Sequence, residues 1–135
     1  MNSQVSKLIS CLNIGLTDST VVTGSAQALK YFHERLVVLL ASEPIQAGYL
    51  DLTANEYRVC GVDDNEDIKL VIVWGLEYFL PFENRTYALR TMLDTGKHQG
   101  LKSVIFCEEN HYMSHFTDHD APFYQFCLRT PVGAE

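Results

Sequence analysis

Two runs constrain the fold of this 135-residue chain more than any other feature: IKLVIVW, residues 68–74, and LKSVIFC, residues 101–107. In a strand, successive side chains point to opposite faces. Leu70, Ile72 and Trp74 then share one face while Val71 and Val73 share the other, so the first run is apolar on both. The second run has the same property. Strands buried on both faces belong inside a sheet covered by helices. Between the runs, residues 84–93 read as a helix capped by Asn84, with Tyr87 or Ala88 and Met92 on its inner side. Strand, helix and strand form a βαβ unit, whose crossover leaves the two strands parallel.

The remaining elements follow from changes of period. Residues 3–13 place Val5, Leu8, Ile9 and Leu12 at helical spacing, and IGLTDSTVVTG breaks that pattern. Ser25 can cap a second helix with the stripe Leu29, Phe32, Leu36, Val37 and Leu40, closed by Pro44. His33 lies beside that stripe. IQAGYLDLT and EYRVCGV then read as strands joined by a turn at Ala54 and Asn55. FYQFCLRT reads as an outer strand, with Tyr124, Phe126 and Leu128 on one side. The expected order is α-α-β-β-β-α-β-β. The expected fold is α+β (mixed α/β), a single globular domain over residues 1–135 with a mixed sheet of about five strands. Strands outside the crossover are expected to be antiparallel, and helices to cover one face or both.

Charge and cysteine usage narrow the setting. Ten basic residues face 17 acidic ones, a net charge of −7. Neutralising phosphates supplies most of the affinity for nucleic acids, so this balance argues against such a partner and favours a basic protein. None of the four cysteines forms a C-x-x-C pair. Cys60, Cys107 and Cys127 sit in apolar runs, where a free thiol acts as a small hydrophobe. MNSQVSKLIS lacks the apolar core of a signal peptide, and no run reaches the ~18 apolar residues of a membrane span. The expected setting is the reduced cytoplasm, away from membranes. The sequon NRT at Asn84 would matter only in a secreted protein.

The stretch with most chemistry is EENHYMSHFTDHD, residues 108–120. His111, His115 and His119 recur every fourth position among Glu108, Glu109, Asp118 and Asp120. Ligands tend to bind beyond the carboxyl ends of parallel strands. Glu77 follows the first apolar run, and Glu108, Glu109 and His111 follow the second, so these groups should emerge at one edge. Imidazole and carboxylate suit zinc, manganese or iron. One reading is therefore a metal-dependent hydrolase or nuclease, with Glu77 and Glu108 catalytic and His111, His115, Asp118 and His119 around a divalent transition metal. Helical geometry opposes a single site, because His111 and His119 would stand ~12 Å apart along the axis. The glutamate of the zincin motif is also missing. The simpler reading is a solvated loop.

Other candidate motifs fail on their own chemistry. DDNED, residues 63–67, has alternating acids, but Ile68 and Trp74 occupy the loop positions where an EF-hand needs Gly and Glu. DIK, residues 67–69, is similar to the D-x-K element of restriction-endonuclease-like nucleases. It would need Asp51 or Asp63 as a companion, and the net charge opposes it. No glycine-rich phosphate loop is present. Cys107 with His111 could pair as nucleophile and base, although a cysteine ending an apolar strand is more often inert.

GLEYFLPFE, residues 75–83, sets five large apolar side chains directly after a central strand. Aromatic residues are enriched at interfaces. The favoured expectation is a small acidic protein-binding module of the inhibitor, immunity, antitoxin or chaperone type, with no cofactor. Asp63, Asp64, Glu66 and Asp67 would steer a basic partner, and Tyr78 and Phe79 would anchor it. A homodimer is compatible with this reading.

Overall fold

The computed structural model describes residues 19–41, 47–54, 56–60, 70–117, 120–121, 123 and 126–133, together with Val5 and Lys7. Strand β1 (Thr20–Gly24) leads into helix α1 (Ala26–Leu40). Strands β2 (Ala47–Asp51) and β3 (Glu56–Cys60) follow, then β4 (Leu70–Trp74) and a 3-10 turn (Leu76–Tyr78). Helix α2 (Glu83–His98) leads to β5 (Lys102–Glu108). A short helix α3 (Glu109–Tyr112) continues into a π turn (Met113–Thr117), and β6 (Leu128–Pro131) closes the sheet.

The six strands lie in the order β3-β2-β4-β5-β1-β6. Five of them, β2, β4, β5, β1 and β6, run parallel. Only β3 is antiparallel, paired with β2 at one edge. The expected β4-α2-β5 crossover is present, and the fold is of the mixed α/β type. The expectation of antiparallel pairing elsewhere is overturned by β1. All five residues of that strand are buried, between β5 and β6. Within IGLTDSTVVTG, a short apolar stretch with no alternation cannot be told from a loop or a helix end by period alone.

Helices cover both faces. On one side α1 packs Leu29, Phe32, Leu36 and Leu40 against Val22, Tyr49, Ile72, Val104 and Phe106. On the other, α2 packs Leu89 and Leu93 against Val71, Val73 and Ile105, with Phe116, Phe123 and Phe126 closing that layer. The split of β4 is as its alternation implies, with Leu70 and Ile72 toward α1 and Val71 and Val73 toward α2. Ser25 caps α1, its hydroxyl accepting from the Ala28 amide at 3.1 Å.

Several local expectations are corrected. Val37, placed on the α1 stripe, is 39 % exposed. Helix α2 extends to His98, and Phe82 rather than Asn84 stands at its N-cap. Its buried residues are Thr86, Leu89 and Leu93, one position away from the expected Tyr87 or Ala88 and Met92. Thr86 fixes that register by donating its hydroxyl to the carbonyls of Phe79 at 2.7 Å and Phe82 at 3.0 Å. Of the expected outer strand over residues 123–130, the described strand begins at Leu128, and Phe123 and Phe126 turn inward and meet edge-on on the α2 side. Val5 and Lys7 are helical, while the rest of the expected first helix lies outside the described residues.

Candidate functional site

The carboxyl ends of β4 and β5 open into a cleft of about 330 Å³. Trp74 and Gly75 end β4, and Phe106 and Glu108 end β5. Glu77 and Tyr78 come from the 3-10 turn, His111 from α3, Thr53 from the turn after β2, and Ala26 and Leu29 from the first turn of α1. The connection from β1 runs to the α1 face, whereas those from β4 and β5 pack on the α2 face. Reversal of crossover direction between neighbouring parallel strands leaves a crevice at their carboxyl ends, the usual ligand site of such sheets.

Local structure shapes the wall. Gly75 holds φ at +85°, and a Cβ there would lie 2.5 Å from Cγ2 of Thr53. Only glycine combines that conformation with so close an approach. Thr53 is held in turn by Asp51, whose Oδ1 accepts its hydroxyl at 2.6 Å and its amide at 3.0 Å. Behind the wall, His33 stacks on Trp74 with ring centres 4.4 Å apart. Its Nε2 is hydrogen-bonded to the Tyr49 hydroxyl at 2.7 Å. Phe106 meets both His33 and Trp74 edge-on. His33, Tyr49 and Phe106 together form a support behind Trp74.

Three carboxylates leave this edge, and their surroundings differ. Glu109 is paired with Arg129, whose Nε also donates to Thr23 Oγ1 at 3.0 Å and whose guanidinium lies over the Tyr112 ring. Glu77 is half-buried, and its Oε1 accepts from the Glu108 amide at 2.9 Å, tying the 3-10 turn to the end of β5. Glu108 is also half-buried. Among the described residues neither Glu77 nor Glu108 is paired with a basic side chain. Among the described residues no lysine or arginine lines the cleft.

The expected convergence of Glu77, Glu108 and His111 at one edge is present. The backbone of His115 lies in the π turn, and Asp118 and His119 lie outside the described residues. No group of three or more His, Cys, Asp or Glu among the described residues is placed to hold a metal ion. The pairing of Cys107 as a nucleophile with His111 is corrected. Its thiol is fully buried in the α2-side core, and burial, reinforced by Glu77, Glu108 and Glu109, pushes it far above the ordinary thiol range. A thiol without access to its thiolate is a poor nucleophile. The histidine segment is fastened to that core by stacked Tyr112, Phe116 and Phe123.

Tyr78 is 63 % exposed at the cleft mouth, whereas Phe79 is partly buried against the α2-side core. Asp63, Asp64, Glu66 and Asp67 lie outside the described residues, but their flanks are placed. Cys60 and Leu70 both pair with Ala47, at the amino edge of the sheet. That edge is about 13 Å from the carboxyl ends, at ~3.3 Å per residue along β4. The described residues Cys60 and Leu70 therefore lie at the opposite edge of the sheet from Tyr78. Sequence reasoning missed the α1 turn, Thr53 and the His33–Tyr49 pair as parts of the site. No local pattern announces them, since each depends on the unrecognised β1 or on pairing across the sheet.

No family model, curated protein or solved structure matches this chain. No helix among the described residues is long and apolar enough to cross a membrane.

Proposed function

We propose that this protein is a small acidic binding module for a basic protein partner, of the inhibitor, immunity, antitoxin or chaperone type, and that it meets the partner at the carboxyl-edge cleft. The observation that carries this reading is the pair of half-buried carboxylates, Glu77 and Glu108, set among Trp74, Tyr78 and Phe106 without a lysine or arginine among the described lining residues. Partly desolvated charge that the fold leaves uncompensated costs stability. A cationic group arriving from outside recovers that cost as affinity. The exposed ring of Tyr78 at its mouth offers apolar area that anchors an interface. The thiol of Cys107, buried in the core, accords with a cytoplasmic setting.

Affinity capture at low salt tests the reading. Wild-type protein should retain a basic protein that the Glu77→Gln/Glu108→Gln variant loses, and the purified pair should bind with an affinity that falls as salt rises. Equal retention by both would remove the cleft from the interface. A metal-dependent hydrolase is the second reading, favoured by Glu77, Glu108 and His111 lining one cleft. Elemental analysis of untagged protein separates the two. The binding reading expects no stoichiometric transition metal, and a metal at one equivalent would promote the hydrolase.

A further inference from the structure

We propose that the cleft is a guanidinium pocket and that its occupant is an arginine side chain of the basic partner. The inference rests on the binding reading above and names the group recognised.

Size comes first. Small-molecule pockets span roughly 300–1,000 Å³. At about 330 Å³ this cleft is at the bottom of that range, suited to one side chain rather than a cofactor or an extended ligand. Charge comes second. The lining carries two carboxylates, Glu77 and Glu108. Against them stands the amino end of α1, whose first turn forms one wall and carries about half a positive charge. The sum stays negative, which opposes a phosphate or carboxylate ligand despite the helix end and selects a cation.

Shape then distinguishes arginine from lysine. Ammonium is a compact, strongly hydrated point charge, whereas guanidinium is planar, more weakly hydrated, stacks on aromatic faces and bonds carboxylates through two parallel N–H groups. The walls supply both features. Trp74 lines the cleft and is braced from behind by His33, and Tyr78 and Phe106 add two more rings. Glu108 makes no side-chain hydrogen bond among the described residues, so both its oxygens can accept from a guanidinium. Glu77 spends one oxygen on the Glu108 amide and keeps the other. The three methylenes of an arginine would lie along the apolar wall of Ala26 and Leu29.

Trp74 is the one tryptophan of the chain, so its fluorescence reports on the cleft directly. The full chain is titrated with N-acetyl-arginine amide, with the lysine counterpart, and with N-acetyl-citrulline amide, which keeps the shape of arginine without its charge. A saturable change with the arginine compound is expected, several-fold weaker with lysine. Citrulline and the Glu108→Gln variant should each weaken binding by about tenfold or more, the loss expected for a charge-assisted pair. Urea melts of the variant show that it is folded. Citrulline binding as tightly as arginine would overturn the proposal, because the cleft would then select shape alone. Lysine binding more tightly than arginine would overturn it in favour of an ammonium site. No fluorescence response to any compound, with capture of a basic protein intact, would overturn the arginine assignment and leave the binding reading standing. Loss of both would sink the two together.

Discussion

Replacing Gly75 by Ala tests the geometry on which the cleft depends. Two costs are expected. An L-residue at φ +85° loses roughly 1–2 kcal/mol relative to its preferred conformations. The new Cβ would also sit 2.5 Å from Thr53 Cγ2 and 3.1 Å from the Thr53 amide nitrogen. Thr53 cannot simply rotate away, because its hydroxyl is held by Asp51 at 2.6 Å. Overpacking of this kind costs about 1–3 kcal/mol. Gly100 supplies the control. Its φ is +89°, but nothing lies within 4 Å of a Cβ built there. Gly100→Ala should therefore lose only the conformational share, ~1–2 kcal/mol, and Gly75→Ala about 2–5 kcal/mol. Urea denaturation gives both values, and each kcal/mol corresponds to roughly 3–5 °C in melting temperature for a chain of this size. Thr53→Ser deletes the methyl that the new Cβ strikes and keeps the hydroxyl. In the double variant Gly75→Ala/Thr53→Ser the clash share should be recovered while the conformational share remains. Equal losses at Gly75 and Gly100, or no recovery with Thr53→Ser, would refute the close approach of the β4 end to the β2 turn.

Tyr78→Ala should leave stability within about 0.5 kcal/mol, as exposed positions do, and should quicken dissociation of a bound partner; Phe79→Ala should instead cost on the order of 2 kcal/mol through lost packing. Paired melting curves and off-rates distinguish these outcomes. Changing Asp63, Asp64, Glu66 and Asp67 to Asn and Gln should slow association at low salt with dissociation unchanged, and the effect should fade as screening shortens to ~8 Å at physiological salt; an unchanged on-rate at low salt would remove the steering role. Cys107 should resist thiol reagents at pH 8 until the protein is unfolded, and early modification of this residue would contradict its burial. Because its folded-state pKa is raised, the unfolded chain releases a proton above about pH 8.5 that the folded protein keeps, so stability should fall by about 1.4 kcal/mol per pH unit above that point. Cys107→Ala should reduce that alkaline slope in a urea series.

The parts of the fold that were legible in the sequence are those where period and length agree. β4 and β5 are long enough, and apolar enough on both faces, to be placed centrally, and the helix between them required a parallel crossover. Ser25 announced α1 because a cap is a local chemical event. What stayed hidden depends on partners far along the chain. β1 is five residues of buried strand whose pairing with β5 and β6 no local pattern records. Missing it concealed the nearly all-parallel sheet and the placement of the α1 turn at the cleft. Helix α2 was misregistered by one position because Thr86, a polar residue, takes an inner site by bonding the Phe79 and Phe82 carbonyls. Glu77, Glu108 and His111 were brought together correctly, since strand ends in a βαβ unit share an edge whatever the rest of the sheet does.

Chemical-shift mapping of the labelled protein during titration with its basic partner tests the central claim most directly. The account predicts that the largest changes fall on the Trp74 indole N–H and on the amides of Gly75, Glu77, Tyr78, Glu108 and His111, with the amides of Ala47 and Leu70 at the amino edge little moved. Changes concentrated at the amino edge or along the outer face of α2, with Trp74 and Glu108 still, would contradict it.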